Sequence, residues 1–446
     1  MLSALQNIFK IPDLRRKVLV TLGLIAVYRL GSFIPTPGID AQALAEFFNR
    51  IAKSQGGAIL GIMNMFSGGS LEKLTIFALG IMPYISSSII IQLLTAVIPA
   101  LEKLSKEGKA GYQKINQYTR YATVGLSILQ SYFIALWLEH PGRLLEGLNI
   151  VINPGWGFRF ITVITLSTGT IFIMWLGEQI QERGIGNGIS LIITAGIISR
   201  IPAAIQQLVM YVSPKTQQIH PFSLVIMSVL LFTVIFAVIM VTQGQRKIPV
   251  QYARRVVGRK VFSGQSTYIP LKVDTSGVIA IIFAQSIILF PATLAAFIPQ
   301  SGFQHFAQSL ARGHLSYTAL YALLIIFFCY FYTAIVFNPK DIADNMKKYG
   351  GFIPGIRPGE PTTEFLDFVM TRITLAGAIF IAVIAILPDF IMAWLKVPYL
   401  IASFFGGTGM LIIVGVMLDT IKQIESQLLM RNYEGFIKSG RIQGRR

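Results

Sequence analysis

The sequence predicts an all-α polytopic membrane protein of ten transmembrane helices arranged as two inverted five-helix halves. Three observations lead there. Of 446 residues, 53% are hydrophobic and only 13% charged, whereas soluble domains carry roughly 25% charged residues. Apolar runs near the length a spanning helix needs recur along the whole chain. Lysine and arginine are divided unevenly between alternate connections.

The N-terminal stretch MLSALQNIFKIPDLRRK is amphipathic and carries its charge after its apolar residues. It lacks the hydrophobic region and small-residue cleavage site of a secretory signal, so no cleavage is expected. Apolar runs then place helices at about 18–34, 74–98, 121–138, 158–176, 185–202, 222–242, 278–298, 317–337, 368–387 and 397–418. The fifth is closed early by Arg200 and Pro202. Between the first two lies GAILGIMNMFSGGS (57–70), greasy enough for a bilayer. It runs only about ten residues before its Ser-Gly-Gly break, half of what spanning takes. On its own chemistry it reads either as a short helix inside a protein-lined cavity or as an amphipathic helix lying at the membrane interface.

One set of alternating connections holds 28 of the 38 basic residues, including the N-terminus, 99–120, 243–277, 338–372 and the tail. Basic residues collect on the cytoplasmic side, so both termini are expected there. This asymmetry accounts for most of the net charge of +18, and basicity alone therefore does not point to nucleic acid. Dividing the chain near residue 215 leaves five spans in each half. An odd number forces the halves into opposite orientations, the arrangement of inverted-repeat proteins whose site lies between the repeats.

Enzyme chemistry finds no footing. HExxH, GxSxG and GxxxxGK[ST] are all missing, and the glycine cluster from Gly184 to Gly188 follows a membrane helix rather than a strand. Cys329, the single cysteine, sits in an apolar run and reads as a small buried hydrophobe. Neither a disulfide nor a thiolate metal site can be built. His140, His220, His305 and His314 are scattered over non-cytoplasmic connections. Arg29, Glu178 and Asp419 lie near helix ends, where snorkelling explains them. A secondary transporter of a small solute, the competing function for an inverted repeat, needs ionisable groups at mid-membrane, and none of these supplies one.

The segment 243–272 holds seven basic residues and no acidic one, far more length than a helix link requires. It reads as two extended arms, KIPVQYARRVV and STYIPLKV, around a glycine-containing turn. The excess charge points to an acidic partner.

TIFALGIMPYISSSIIIQLL (75–94) and MWLGEQIQERGIGNGISLII (174–193) resemble the two signature stretches of the SecY family, the pore subunits of bacterial protein-conducting channels (translocons). YRLGSFIPTPG (28–38), GQRKIPVQYARR (244–255), GQSTYIPLKV (264–273), GIRPGE (355–360) and FFGGTG (404–409) match in the same order. The resemblance covers essentially the whole chain.

It implies a clamshell hinged between the fifth and sixth helices, with residues 1–215 as one half and 216–446 as the other. An hourglass pore, a plug and a lateral gate toward lipid follow. The implied plug spans about 57–67, with Ile59, Leu60, Ile62, Met63, Asn64, Met65 and Phe66, and with Gly68 and Gly69 as its hinge. The implied pore ring comprises Ile81, Ile85, Ile193, Ile197, Ile282 and Ile412. Such side chains are stiff at χ1 and offer no polar atom, so a ring of them excludes ions by dewetting. The lateral gate is expected between Ser86, Ser87, Ser88 and Gln92 on the second helix and Gln285 and Ser286 on the seventh, hydrogen-bonded weakly enough to reopen. Arg246, Lys247, Arg254, Arg255, Arg259, Lys260 and Arg357, in cytoplasmic loops at about 243–277 and 338–367, are expected to engage the SecA ATPase motor or the ribosome, whose RNA would be contacted electrostatically. SecE and SecG are the implied small subunits. Signal sequences and nascent chains are the implied cargo, no cofactor is needed, and the bacterial cytoplasmic (inner) membrane is the implied location.

Overall fold

A computed structural model describes residues 11–52, 64, 67–139, 150–212, 221–252, 255–257, 260–262, 266–297, 315–395, 397 and 399–439. The chain divides into two compact units: Met1–Gln218 with Ala292–His305 and Ile412–Arg446, and Ile219–Pro291 with Phe306–Leu411.

In the first unit, α1 (Pro12–Gly31) and α2 (Ala41–Ala52) precede the segment of the second predicted span. Asp40 starts α2 by accepting from the amides of Gln42 at 2.8 Å and Ala43 at 3.3 Å, a standard N-terminal cap. Next come α3 (Met82–Val97) and α4 (Pro99–Lys106), bent by 99° at Ile98, where Pro99 bars Ile98 from helical geometry. The remaining helices are α5 (Lys109–Glu139), α6 (Trp156–Arg183), α7 (Gly188–Ile198), α8 (Ile201–Val212) and most of α15 (Thr408–Ser439).

α5 carries a row of buried, mostly small residues that packs against α4 at its start and α6 further on. Gly111, Ile115, Thr119, Thr123, Ser127, Ser131 and Ala135 recur every fourth position and are buried, with Gly111 against the Leu104 carbonyl. Their hydroxyls are spent mostly on the helix's own carbonyls, as with Thr123 to Thr119 at 2.7 Å, while the Ser131 and Ser167 hydroxyls meet at 3.3 Å. With no hydrophobic gain available between helices in lipid, close backbone approach over such a stripe is what holds them together.

The second unit holds α9 (Pro221–Gln243), strands β1 (Gln245–Tyr252), β2 (Arg255–Val257), β3 (Lys260–Phe262) and β4 (Ser266–Lys272), most of helix α10 (Val278–Phe297), helices α11 (Leu315–Val336) and α12 (Pro339–Lys348), strand β5 (Gly351–Phe352), and helices α13 (Glu360–Leu395) and α14 (Tyr399–Phe405). The two arms of 243–272 pair antiparallel, with Ile248 opposite Ile269 and Gln245 opposite Lys272. β5 adds to the other edge of β1 through Gln251 and Tyr252, giving the order β4-β1-β5.

Among the described residues, seven helices are long and apolar enough to cross a membrane, or eight if α3 and α4 form one broken span. α1 and α10 supply the helices at the two remaining predicted positions. The second span departs from the expected 74–98 at its start: helix begins only at Met82, and 67–81 is a chain of turns. Thr36 and Ile76 amides bond to Leu74 and Ile34 carbonyls at 2.9 and 3.0 Å, tying this stretch to the segment after α1. Leu74 (φ 38°) and Gly80 (φ 57°) have left-handed backbones that no helix continues. The third and ninth spans also outrun their apolar cores. α13, with 36 residues, is about 54 Å long at 1.5 Å per residue.

Candidate functional site

The best-defined polar construction in the first unit lies at the Ser-Gly-Gly break. Gly68 and Gly69 have φ of 65° and 87°, a backbone that costs other residues about 1–2 kcal/mol each. Gly68 runs against α7 so closely that an added Cβ would lie 2.9 Å from the Cα of Gly196 and 3.2 Å from the Tyr28 hydroxyl. Its carbonyl accepts from Arg29 Nη1 at 3.2 Å and from Ser199 Oγ at 3.5 Å.

Asn64 closes the loop over the two glycines. Its carbonyl accepts from the Gly69 amide at 2.8 Å, its Oδ1 from the Glu72 amide at 3.1 Å, and its Nδ2 donates to Glu72 Oε2 at 2.8 Å. Arg200 Nη2, just past α7, reaches the same carboxylate oxygen at 3.3 Å. The other expected plug residues, Ile59, Leu60, Ile62, Met63, Met65 and Phe66, lie outside the described residues. So do all four histidines.

Arg29 therefore does more than snorkel. It bonds the Gly68 carbonyl and stands 5.0 Å over the Phe33 ring. Glu72 and Arg200 had no sequence signal as a pair, being 128 positions apart.

All six isoleucines expected in the pore ring are buried, from 0% exposure for Ile197 and Ile412 to 6% for Ile282. Ile81 caps α3 and Ile85 follows one turn on, while Ile193 and Ile197 share one face of α7. Ile412 belongs to the first unit and Ile282 to the second.

The expected gate residues spend their recorded hydrogen bonds locally: Ser87 Oγ donates to the Pro83 carbonyl at 2.8 Å and Gln92 Nε2 to Ser88 Oγ at 3.1 Å. Ser86 and Ser88 are partly exposed on the same helix. In the second unit Gln285 and Ser286 are buried on α10, and neither amide atom of Gln285 meets a partner among the described residues.

At the other end of the second unit, β-sheet alternation sorts the loop residues. Ile248, Val250 and Leu271 point into a core with Met346, Ile353 and Leu366, which leaves the opposite face to solvent. Arg246 and Lys247 are exposed, and Lys247 Nζ sits 4.8 Å above the Tyr268 ring. Arg255 and Lys260 lie on β2 and β3; their side chains, and Arg254 and Arg259 entirely, lie outside the described residues. Arg357 is exposed on a turn between Gly355 (φ 85°) and Gly359 (φ 109°), and its carbonyl accepts from Thr362 Oγ1 at 2.8 Å. The turn is fastened while its guanidinium is presented.

Comparison with known proteins brings these features together. The sequence profile of the family described as SecY matches residues 75–421. The chain is 49% identical to the protein translocase subunit SecY of Escherichia coli K12 over 437 residues, covering 97% of this chain and 96% of that protein. It is 46% identical to the namesake from Mycobacterium bovis over 449 residues, covering 98% and 100%. Among solved structures it resembles a protein-conducting channel with a TM-score of 0.66 at 16% identity, covering 93% of this chain and 92% of that one. A second, described in a study of how the plug domain of the SecY protein stabilises the closed channel, gives 0.63 at 18% identity over the same shares.

Proposed function

The chain belongs to the SecY family of protein translocase subunits, a multi-pass membrane channel for protein translocation and not an enzyme, and from that footing we propose how its named residues conduct polypeptide. Unfolded secretory chains pass through a constriction made by Ile81, Ile85, Ile193, Ile197, Ile282 and Ile412. Hydrophobic segments leave sideways between the helix of Ser86, Ser87, Ser88 and Gln92 and the helix of Gln285 and Ser286. At rest the segment 57–67 blocks the path, swinging on Gly68 and Gly69.

The burial of all six isoleucines carries this reading. Apolar, stiff side chains repel a column of water and ions, yet they have no polar atom with which to hold a passing peptide. Gln285 fits the gate role: its buried amide has no partner among the described residues, which is costly, and a separated seam would let it bond to a signal sequence or lipid headgroup. Most buried polar residues among those described are Ser and Thr, and the buried Glu139 carboxylate is neutralised by Arg159.

Both termini, the β4-β1-β5 sheet and the Arg357 turn are cytoplasmic in this reading. The exposed basic residues there receive the SecA motor and the ribosome, and SecE and SecG complete the complex. One solved relative of the same fold, at 16% identity, is Sec61 in a canine ribosome-channel complex. The test is export of substrates with defective signal sequences by variants in which Ile81, Ile193 or Ile282 is replaced by Asn. Relaxed selection is expected, and unchanged selection in all three refutes the ring.

A further inference from the structure

We propose that Glu72, Asn64 and Arg200 form a polar clasp that, with Arg29, holds the glycine hinge in its resting position and so sets how readily the plug leaves. This rests on the plug reading of 57–67 and adds to it the residues that determine the opening threshold. Two consecutive left-handed glycines make a joint with little conformational preference of its own. A joint that free would not define a resting position unless something else fixed it.

The clasp does so in two layers. Asn64 and Glu72 stand on either side of the glycines and exchange reciprocal bonds, Nδ2 to Oε2 at 2.8 Å and amide to Oδ1 at 3.1 Å, so the loop is closed on itself. The closed loop is then tied outward. Arg200 donates to the Glu72 carboxylate at 3.3 Å from the end of α7, and Arg29 donates to the Gly68 carbonyl at 3.2 Å from α1. Breaking the Glu72 carboxylate therefore loosens both the loop and its mooring.

Exposure makes the clasp reversible. The Glu72 side chain is 50% exposed against 15% for Arg200, so water competes for the carboxylate and the ion pair is weak. Asn64 is buried, which keeps the loop's own closure from fraying first. The outer tie to Arg200 is the one that yields.

The experiment measures resting ion conductance and stringency toward defective signal sequences, using the full chain assembled in its translocase complex and reconstituted in planar bilayers. Glu72→Gln and Arg200→Gln should each raise resting conductance about two- to fivefold, the range that loss of one exposed ion pair allows. Apparent melting temperature should barely move, because the pair is exposed and weak, so the conductance change is what marks the role in closure. Glu72→Ser, which also removes the carboxylate at a half-exposed position, should behave alike, and the exchange Glu72→Arg with Arg200→Glu should recover closure only in part, because it restores the ion pair but not the acceptor for Asn64 Nδ2. Deleting 57–67 is the companion measurement. If deletion raises conductance while the Glu72 and Arg200 variants stay at the wild-type level, the clasp is refuted and the plug stands. If deletion changes nothing, the plug reading fails and the clasp falls with it.

Discussion

Replacing Gly68 and Gly69 by alanine separates two costs that usually come together. Both have left-handed backbones, at φ 65° and 87°, so each substitution costs about 1–2 kcal/mol for conformation alone. They differ in their surroundings. An added Cβ at Gly69 meets nothing within 4 Å, whereas at Gly68 it would lie 2.9 Å from the Cα of Gly196 and 3.4 Å from that residue's carbonyl oxygen. Backbone in a packed helix cannot step aside cheaply, and overpacking of this kind costs on the order of 1–3 kcal/mol more. Gly68→Ala should therefore destabilise the resting arrangement by roughly 2–5 kcal/mol and Gly69→Ala by about 1–2 kcal/mol. Because the strain acts on the closed hinge, the smaller cost already shifts the resting equilibrium about five- to thirtyfold. Resting conductance in planar bilayers reads that shift, and the melting temperature of the purified protein checks the rank order. Gly23→Ala, mid-helix with open space around it, is the control and should be neutral or slightly stabilising. Equal effects of the Gly68 and Gly69 variants would refute the close approach of hinge and α7.

Asn at Ile81, Ile193 or Ile282 should let substrates with defective signal sequences through, scored as export in vivo; unchanged export in all three refutes the ring. Arg357→Glu should slow motor-driven translocation of a model precursor into vesicles while leaving the melting temperature within a degree or two, because the guanidinium is exposed and its turn is fastened through the backbone; normal rates would refute the docking role. Glu139→Ala should lower the melting temperature of the purified protein, and a wild-type melting temperature would refute the role of the pair. Its carboxylate, 2% exposed, accepts from Arg159 at 2.6 Å and from the Gly155 amide at 2.9 Å, and the change removes both bonds, while Arg159 keeps its place over the Trp156 ring.

Hydropathy located the helices because burial in lipid needs only an apolar run of sufficient length. It could not see where they stop. α5 and α13 continue past their apolar stretches on polar residues such as those of 109–114 and 360–368, which a lipid-based signal ignores. The turns at 67–81 were hidden for the opposite reason: Leu71, Leu74, Ile76 and Phe77 are as greasy as any span, and what forbids helix is pairing with residues 34–36, set by tertiary structure. Extended arms at 247–257 and 266–273 were legible from a connection far longer than a helix link requires, folded about a glycine-containing turn. Their joining by Gly351 and Phe352 was not, since a two-residue strand has no pattern. The break at Gly68 and Gly69 announced itself by composition, whereas Glu72 and Arg200 looked like ordinary loop charges until the fold brought them within 3.3 Å.

The two-residue pairing of β5 with β1 has a mechanical consequence. It splices two loops, one leaving α9 and one leading into α13, into a single stiff handle with a shared apolar underside. A partner docked on either loop would therefore bear on both helices at once. Transplanting one loop from a relative without the other would cut that splice and part the two loops.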